Sequence, residues 1–130
     1  MKTSYHFILV DDNNLDLFIN ERVLQLSGFA NTILSFGSAE DCLEFLAAES
    51  EALPQSIILL DLQMPIMNGF DFMEAFSKFE DGLREKLQVY ILSSTVDRGD
   101  IEKVRANPLI KDIFSKPLNV DALQQKLAQG

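Results

Sequence analysis

Cysteine and histidine are almost missing from this chain of 130 residues, where Cys42 and His6 stand alone. A lone cysteine excludes an internal disulfide framework and is compatible with a reducing cytoplasm. With one residue of each type there is no zinc cluster, and no Ser-His-Asp or Cys-His nucleophile can be assembled. His6 falls inside an apolar run and reads as a flank or packing residue. Basic residues are also scarce, 11 Lys and Arg against 20 Asp and Glu, for a net charge of −9. That balance argues against nucleic acid as a partner, because displacing counterions takes clustered cations. No apolar run approaches the roughly 20 residues that span a bilayer, and no basic segment precedes an apolar one at the start. These absences lead to the expectation of a cytoplasmic protein with neither nucleic acid nor membrane as partner. Repeats, low-complexity tracts and linkers are missing too, so residues 1–130 read as one domain large enough to bury a core.

What the chain does have is a hydrophobic period that alternates between strand-like and helix-like. Tyr5 to Val10 is a short apolar run ending in Asp11 and Asp12. Leu15, Ile19, Val23 and Leu26 recur at helical spacing and predict the inner face of a helix stopped by Gly28. Thr32 to Phe36 is a second strand candidate. Ser38 with Asp41 suggests a capping box, opening a helix with Cys42, Leu43, Phe45 and Leu46 inward. Ile57 to Leu60 reads as a strand buried on both faces. A helix is expected from about Gly69 to Phe79, ended by Gly82, with an extra helical turn over Leu83 to Leu87. Val89 to Leu92 is the fourth strand. A weak helix capped by Asp97 or Asp100 must stop near Asn107, because Pro108 follows. Ile110 to Ser115 is the fifth strand, and Asn119 caps a last helix to about Ala128. Alternation of this kind implies a doubly wound parallel sheet with helices on both faces, in the flavodoxin-like order 2-1-3-4-5.

In that order four features just past different strands converge at one sheet edge. They are Asp11-Asp12, Asp61, Ser93-Ser94, and Lys116 with Pro117 behind it. Each has an ordinary reading alone: a helix cap, a turn acid, loop hydroxyls, a turn. Together they suit phosphoryl transfer. Asp61 is the nucleophile, and Ser93 offers a hydroxyl to the transferred group. Lys116 is a point charge, and the crowded carboxylates call for Mg²⁺ (or Mn²⁺), which takes hard oxygen ligands.

The acidic pair, the D-L-x-M-P-x-M-x-G run from Asp61 through Met64, Pro65, Met67 and Gly69, the hydroxyl of Ser93 and the Lys116-Pro117 pair resemble the receiver domain of two-component response regulators. The resemblance covers the whole chain. It implies that Asp61 is the phospho-acceptor and that Asp12 binds Mg²⁺ directly, Asp11 mainly through water and Gln63 through its backbone carbonyl. Ser93 would be the switch hydroxyl, Lys116 would contact the phosphate, and Thr95, like Gln63, would modulate water access. The donor it implies is a phosphohistidine on a histidine kinase or histidine phosphotransfer protein. The response would be a conformational change on the face formed by the fourth strand, the helix after it and the fifth strand.

The expectation is thus a signalling module rather than a turnover enzyme, part of a bacterial phosphorelay, monomeric or weakly dimeric, acting on a downstream protein. A stand-alone receiver is the leading reading. A module of a hybrid kinase, an unphosphorylated pseudo-receiver scaffold and an FMN-binding flavodoxin-like carrier are the others, and Asp11-Asp12 would repel the flavin's phosphate. One position departs from the family. Receivers usually carry Tyr or Phe three residues before the lysine, and here Ile113 stands there with Phe114 next. Either Ile113 fills the space passively, or signalling relies on Ser93 and its loop, or a bulge re-aims Phe114.

Overall fold

The computed structural model describes residues 4–94 and 97–129. Five parallel strands form one sheet in the order β2-β1-β3-β4-β5: β1 Tyr5–Val10, β2 Ala30–Phe36, β3 Ser56–Leu60, β4 Leu87–Ser93 and β5 Ile110–Ser115. Helices α1 Asn14–Ser27, α2 Ala39–Ala48, α3 Gly69–Ser77, α4 Asp81–Glu85, α5 Arg98–Ala106 and α6 Val120–Gln129 connect the strands and close the chain. The doubly wound, flavodoxin-like fold expected from the sequence is the observed one.

β3 shows why the order takes this form. All five of its residues are buried. Ile58 and Leu60 enter the core under α2, α3 and α5, and Ile57 and Leu59 enter the core under α1 and α6. A strand with apolar side chains on both faces is stable only with helices on both sides, and each fully buried aliphatic contributes about 1.5–3 kcal/mol. The run therefore takes the centre of the sheet. Cys42 is wholly inside the first core, where burial pushes its thiol up to about 12, so it carries no thiolate chemistry at neutral pH.

Side-chain caps define the helix starts. Asn13, Ser38, Asp97 and Asn119 each accept from a backbone N–H three residues on. This selects Asp97 over Asp100 as the cap of α5. Asn68 and Asp71 form a full reciprocal capping box at α3 that the sequence reading missed.

Two expectations are corrected. The extra turn falls at Asp81–Glu85, with Gly82 inside it, and Leu87 already belongs to β4. Gly82 has room for a Cβ and stops nothing; α3 ends at Ser77, with Lys78 as its C-cap. In α1 the buried residues are Leu17, Asn20 and Leu24. Leu15 and Leu26 are 64% and 77% exposed, Ile19 is exposed beside them, and only Val23 of the expected stripe touches the core. At roughly 3.6 residues per turn the two sets lie on nearly opposite sides of the helix. α1 carries two apolar stripes, and periodicity alone cannot say which one the sheet covers.

Two register shifts interrupt the ladders, at Tyr5/His6 against β2 and at Val89/Tyr90 against β5. Both lie near the amino-terminal ends of the strands. From there to the carboxyl edge every pair is regular, ending with Val10 opposite Leu60 and Ser93 opposite Ser115.

Candidate functional site

The carboxyl edge of the sheet fixes the backbone of each candidate residue. Asp11 follows β1, and its N–H donates to the Phe36 carbonyl at 3.1 Å. Asp61 follows β3, and its N–H donates to the Val10 carbonyl at 3.0 Å. Lys116 follows β5, and its N–H donates to the Ser93 carbonyl at 3.0 Å. The Lys116–Pro117 peptide is cis. With the β3–β4 pairing that runs to Leu60 and Ile91, these bonds tie all five strand ends side to side, and the side chains there inherit positions from a rigid lattice.

Within this frame Asp11, Asp12 and Asp61 each present an oxygen, all within 4.8 Å of one another. Asp11 and Asp61 are buried, whereas Asp12 faces solvent. The Lys116 ammonium, 8% exposed, lies 2.5 Å from Asp11 Oδ2 and 3.6 Å from Asp61 Oδ2. Backbone donors complete the cradle: Asn13 N–H to Asp11 Oδ1 at 2.9 Å and Gln63 N–H to Asp61 Oδ1 at 3.4 Å.

The electrostatics follow from this crowding. Burial, then the charge of Asp11, raise the Asp61 pKa to about 6 against the counter-pull of Lys116 and the Gln63 N–H. An ordinary Asp is fully ionised at neutral pH, and Asp61 is still mostly so. Burial alone would lower the Lys116 pKa, but its hydrogen bonds to Asp11 and Asp16 and the nearby carboxylate charges outweigh that and raise it. Three hard oxygen donors, partly desolvated and mutually repelling, fit a divalent cation such as Mg²⁺.

Gly69 belongs to the site although its side chain is a hydrogen. Its N–H donates to the Leu62 carbonyl at 2.9 Å. A Cβ here would lie 2.8 Å from the Asp61 carbonyl oxygen and 2.9 Å from Leu62 Cα. The helix starts at Gly69, as expected from the sequence, and the missing Cβ lets it press against the strand end. Before it, Ile66 takes a left-handed φ of 68° and is 93% exposed.

The remaining candidates are placed as follows. Ser93 is the last residue of β4 and buried, while Ser94 is exposed. Thr95 lies outside the described residues. Ile113 pairs with Ile91 and packs on the α2/α3/α5 side, the face to which Ser93 also points. Phe114 pairs with Leu92 and packs on the other side, 5.8 Å from the Tyr90 ring. The bulge falls at Lys111, upstream of both, and leaves their alternation intact. No aromatic ring stands on the Ser93 face of β5. Ile113→Ala is therefore expected to lower stability by about 1–3 kcal/mol, as for a partly buried large-to-small change. Phosphoryl uptake should stay near wild type; a large loss with unchanged folding would count against the passive role.

Asp16 was not anticipated. It lies in the first turn of α1, and its Oδ2 accepts a hydrogen bond from Lys116 at 3.0 Å. A first-turn acid is what any helix N-terminus favours, so sequence gave no reason to single it out.

A doubly wound sheet with an acid cluster and a buried lysine at its carboxyl edge is the arrangement that the family match accompanies. The family profile described as "Response regulator receiver domain" matches residues 7–128, and the chain belongs to that family. A response regulator receiver protein from Dyadobacter fermentans is 37% identical, with a TM-score of 0.90 and 97% of each chain covered. A two component response regulator from Cytophaga hutchinsonii is 27% identical, with a TM-score of 0.87, covering 98% of this chain and 96% of the other. Ethylene receptor 2 of Oryza sativa subsp. japonica is 32% identical over 92% of this chain. Hybrid signal transduction histidine kinase C of Dictyostelium discoideum is 26% identical over 90% of it. The chain spans only 15% and 9% of these two curated relatives. Among the described residues no helix is long and apolar enough to cross a membrane.

Proposed function

We propose that this receiver accepts a phosphoryl group on Asp61 from a phosphohistidine of a histidine kinase or histidine phosphotransfer protein. The observation that carries the reading is the buried Lys116 ammonium set among carboxylates at the edge where Asp61 emerges. The ionised Asp61 attacks phosphorus, the P–N bond to imidazole breaks, and an aspartyl phosphate forms. Asp11, Asp12, Asp61 and the Gln63 carbonyl would hold Mg²⁺, which when bound neutralises charge on the phosphoryl oxygens. Lys116 supplies the second cationic contact and Ser93 a hydroxyl from β4, with Ile113 a passive neighbour. The response is relayed through β4, α5 and β5 to a downstream protein. In this reading residues 1–130 act as one cytoplasmic receiver unit. The length of the curated relatives favours one alternative setting for the same chemistry, a module within a longer hybrid kinase.

The outer stripe of α1 supports a protein donor. Leu15, Phe18, Ile19 and Leu26 are exposed on the helix that carries Asp16, and an exposed apolar patch beside a charged site marks a contact surface. Incubation with Mg²⁺ and a small phosphodonor, read by intact mass, is expected to show a phosphate-sized gain. No gain under any condition would sink the reading in favour of a scaffold. Phe18→Glu should slow transfer from a phosphohistidine protein and leave uptake from the small donor unchanged.

A further inference from the structure

Lys116 is gripped by a carboxylate that stands outside the acidic group at the strand ends. Asp11, Asp12 and Asp61 make up that group. Asp16 comes from α1, and its Oδ2 lies 3.0 Å from the Lys116 ammonium, in the same range as Asp11 at 2.5 Å and nearer than Asp61 at 3.6 Å. The helix start does not account for this orientation. Asp16 is the third residue after its cap, as its N–H donates to Asn13 Oδ1. At the same position in α3, Asp71 turns its Oδ2 back to the Asn68 N–H. Asp16 turns its Oδ2 to Lys116.

We propose that Asp16 is a positioning residue that draws Lys116 partly off the cation-binding carboxylates and so tightens the site's hold on Mg²⁺. The inference rests on the reading that Asp11, Asp12 and Asp61 bind that cation. An ammonium has three N–H donors and one charge to distribute. Whatever Lys116 gives to Asp11 and Asp61 competes with a metal for the same oxygens. Asp16 takes one donor and part of the charge, which leaves those oxygens freer. Its own negative charge attracts the cation as well, so both effects have the same sign.

The test is a calorimetric Mg²⁺ titration of the unphosphorylated chain as wild type, Asp16→Asn, Lys116→Ala and the double variant. Asp16→Asn is expected to raise the Kd about two- to fivefold, the range for a partly exposed charge pair. Asp16→Ser repeats the measurement with a side chain suited to a first helical turn. Lys116→Ala removes the competitor and should lower the Kd, and in that background Asp16→Asn should have a smaller effect. If the wild type takes up no Mg²⁺, the reading of the acidic site itself fails. If the wild type binds and Asp16→Asn matches it, the positioning role alone is overturned. An equal effect in both lysine backgrounds would also overturn it, because Asp16 would then act without Lys116.

Discussion

Asp61→Asn is expected to yield a protein that takes up no phosphoryl group and, without metal, resists heat better than wild type at neutral pH. The first outcome follows from chemistry, since a neutral amide is no nucleophile toward phosphorus. The second follows from the environment of the carboxylate. An unfolded Asp ionises near 3.8, whereas folded Asp61 ionises near about 6, raised first by burial and then by Asp11. Between those values the folded protein keeps a proton that the unfolded chain has released. Stability therefore falls as pH rises through that window and remains lower above it. Asn is spared this loss, which amounts to on the order of 1–3 kcal/mol. Thermal unfolding with a chelator should show the variant more stable at about pH 7.5 and the two proteins converging toward about pH 4. Added Mg²⁺ should stabilise wild type more than the variant. Equal midpoints at neutral pH would show that Asp61 bears no such burden.

Gly69→Ala is expected to damage both stability and chemistry. Its methyl would meet the Asp61 carbonyl oxygen at 2.8 Å and Leu62 Cα at 2.9 Å, both backbone atoms that cannot rotate aside. Either α3 lifts or the strand end moves, and such overpacking costs about 1–3 kcal/mol. The displaced strand end carries Asp61, the proposed nucleophile, and a shift on the order of 1 Å there can slow a reaction about a hundredfold. Uptake from a small phosphodonor is expected to fall at least about tenfold at a temperature where the variant is still folded. Folded Gly69→Ala protein with wild-type uptake would show that the loop absorbs the methyl without moving Asp61.

The strand order was legible because the β3 run could be satisfied only by two layers of helix. Asp61 was legible because it sits where that run ends. Lys116 and the Asp11-Asp12 pair were legible because the same rule placed them at the same edge. The inner face of α1 was not, because Leu17 and Leu24 compete with Leu15, Ile19 and Leu26 for the same periodic signal. Asp16 was hidden for a different reason: its partner lies 100 residues away in sequence. Gly69 was seen as the start of a helix and not as a point of close packing, since a missing Cβ announces close approach only when the approaching backbone is known. Ile113 and Phe114 needed the location of a bulge, and the sheet places it at Lys111.

That bulge and its counterpart at Tyr5/His6 lie toward the end of the sheet away from the acids. The irregularities of the ladder are confined to one end, and the other behaves as a fixed jig. Length changes near residues 30–31 or 109–111 can be taken up locally as slippage. The same change next to Val10, Leu60 or Ser93 would shift one of the proposed site residues against its neighbours. The domain thus has a tolerant base and an intolerant rim, and sequence drift should collect at the base.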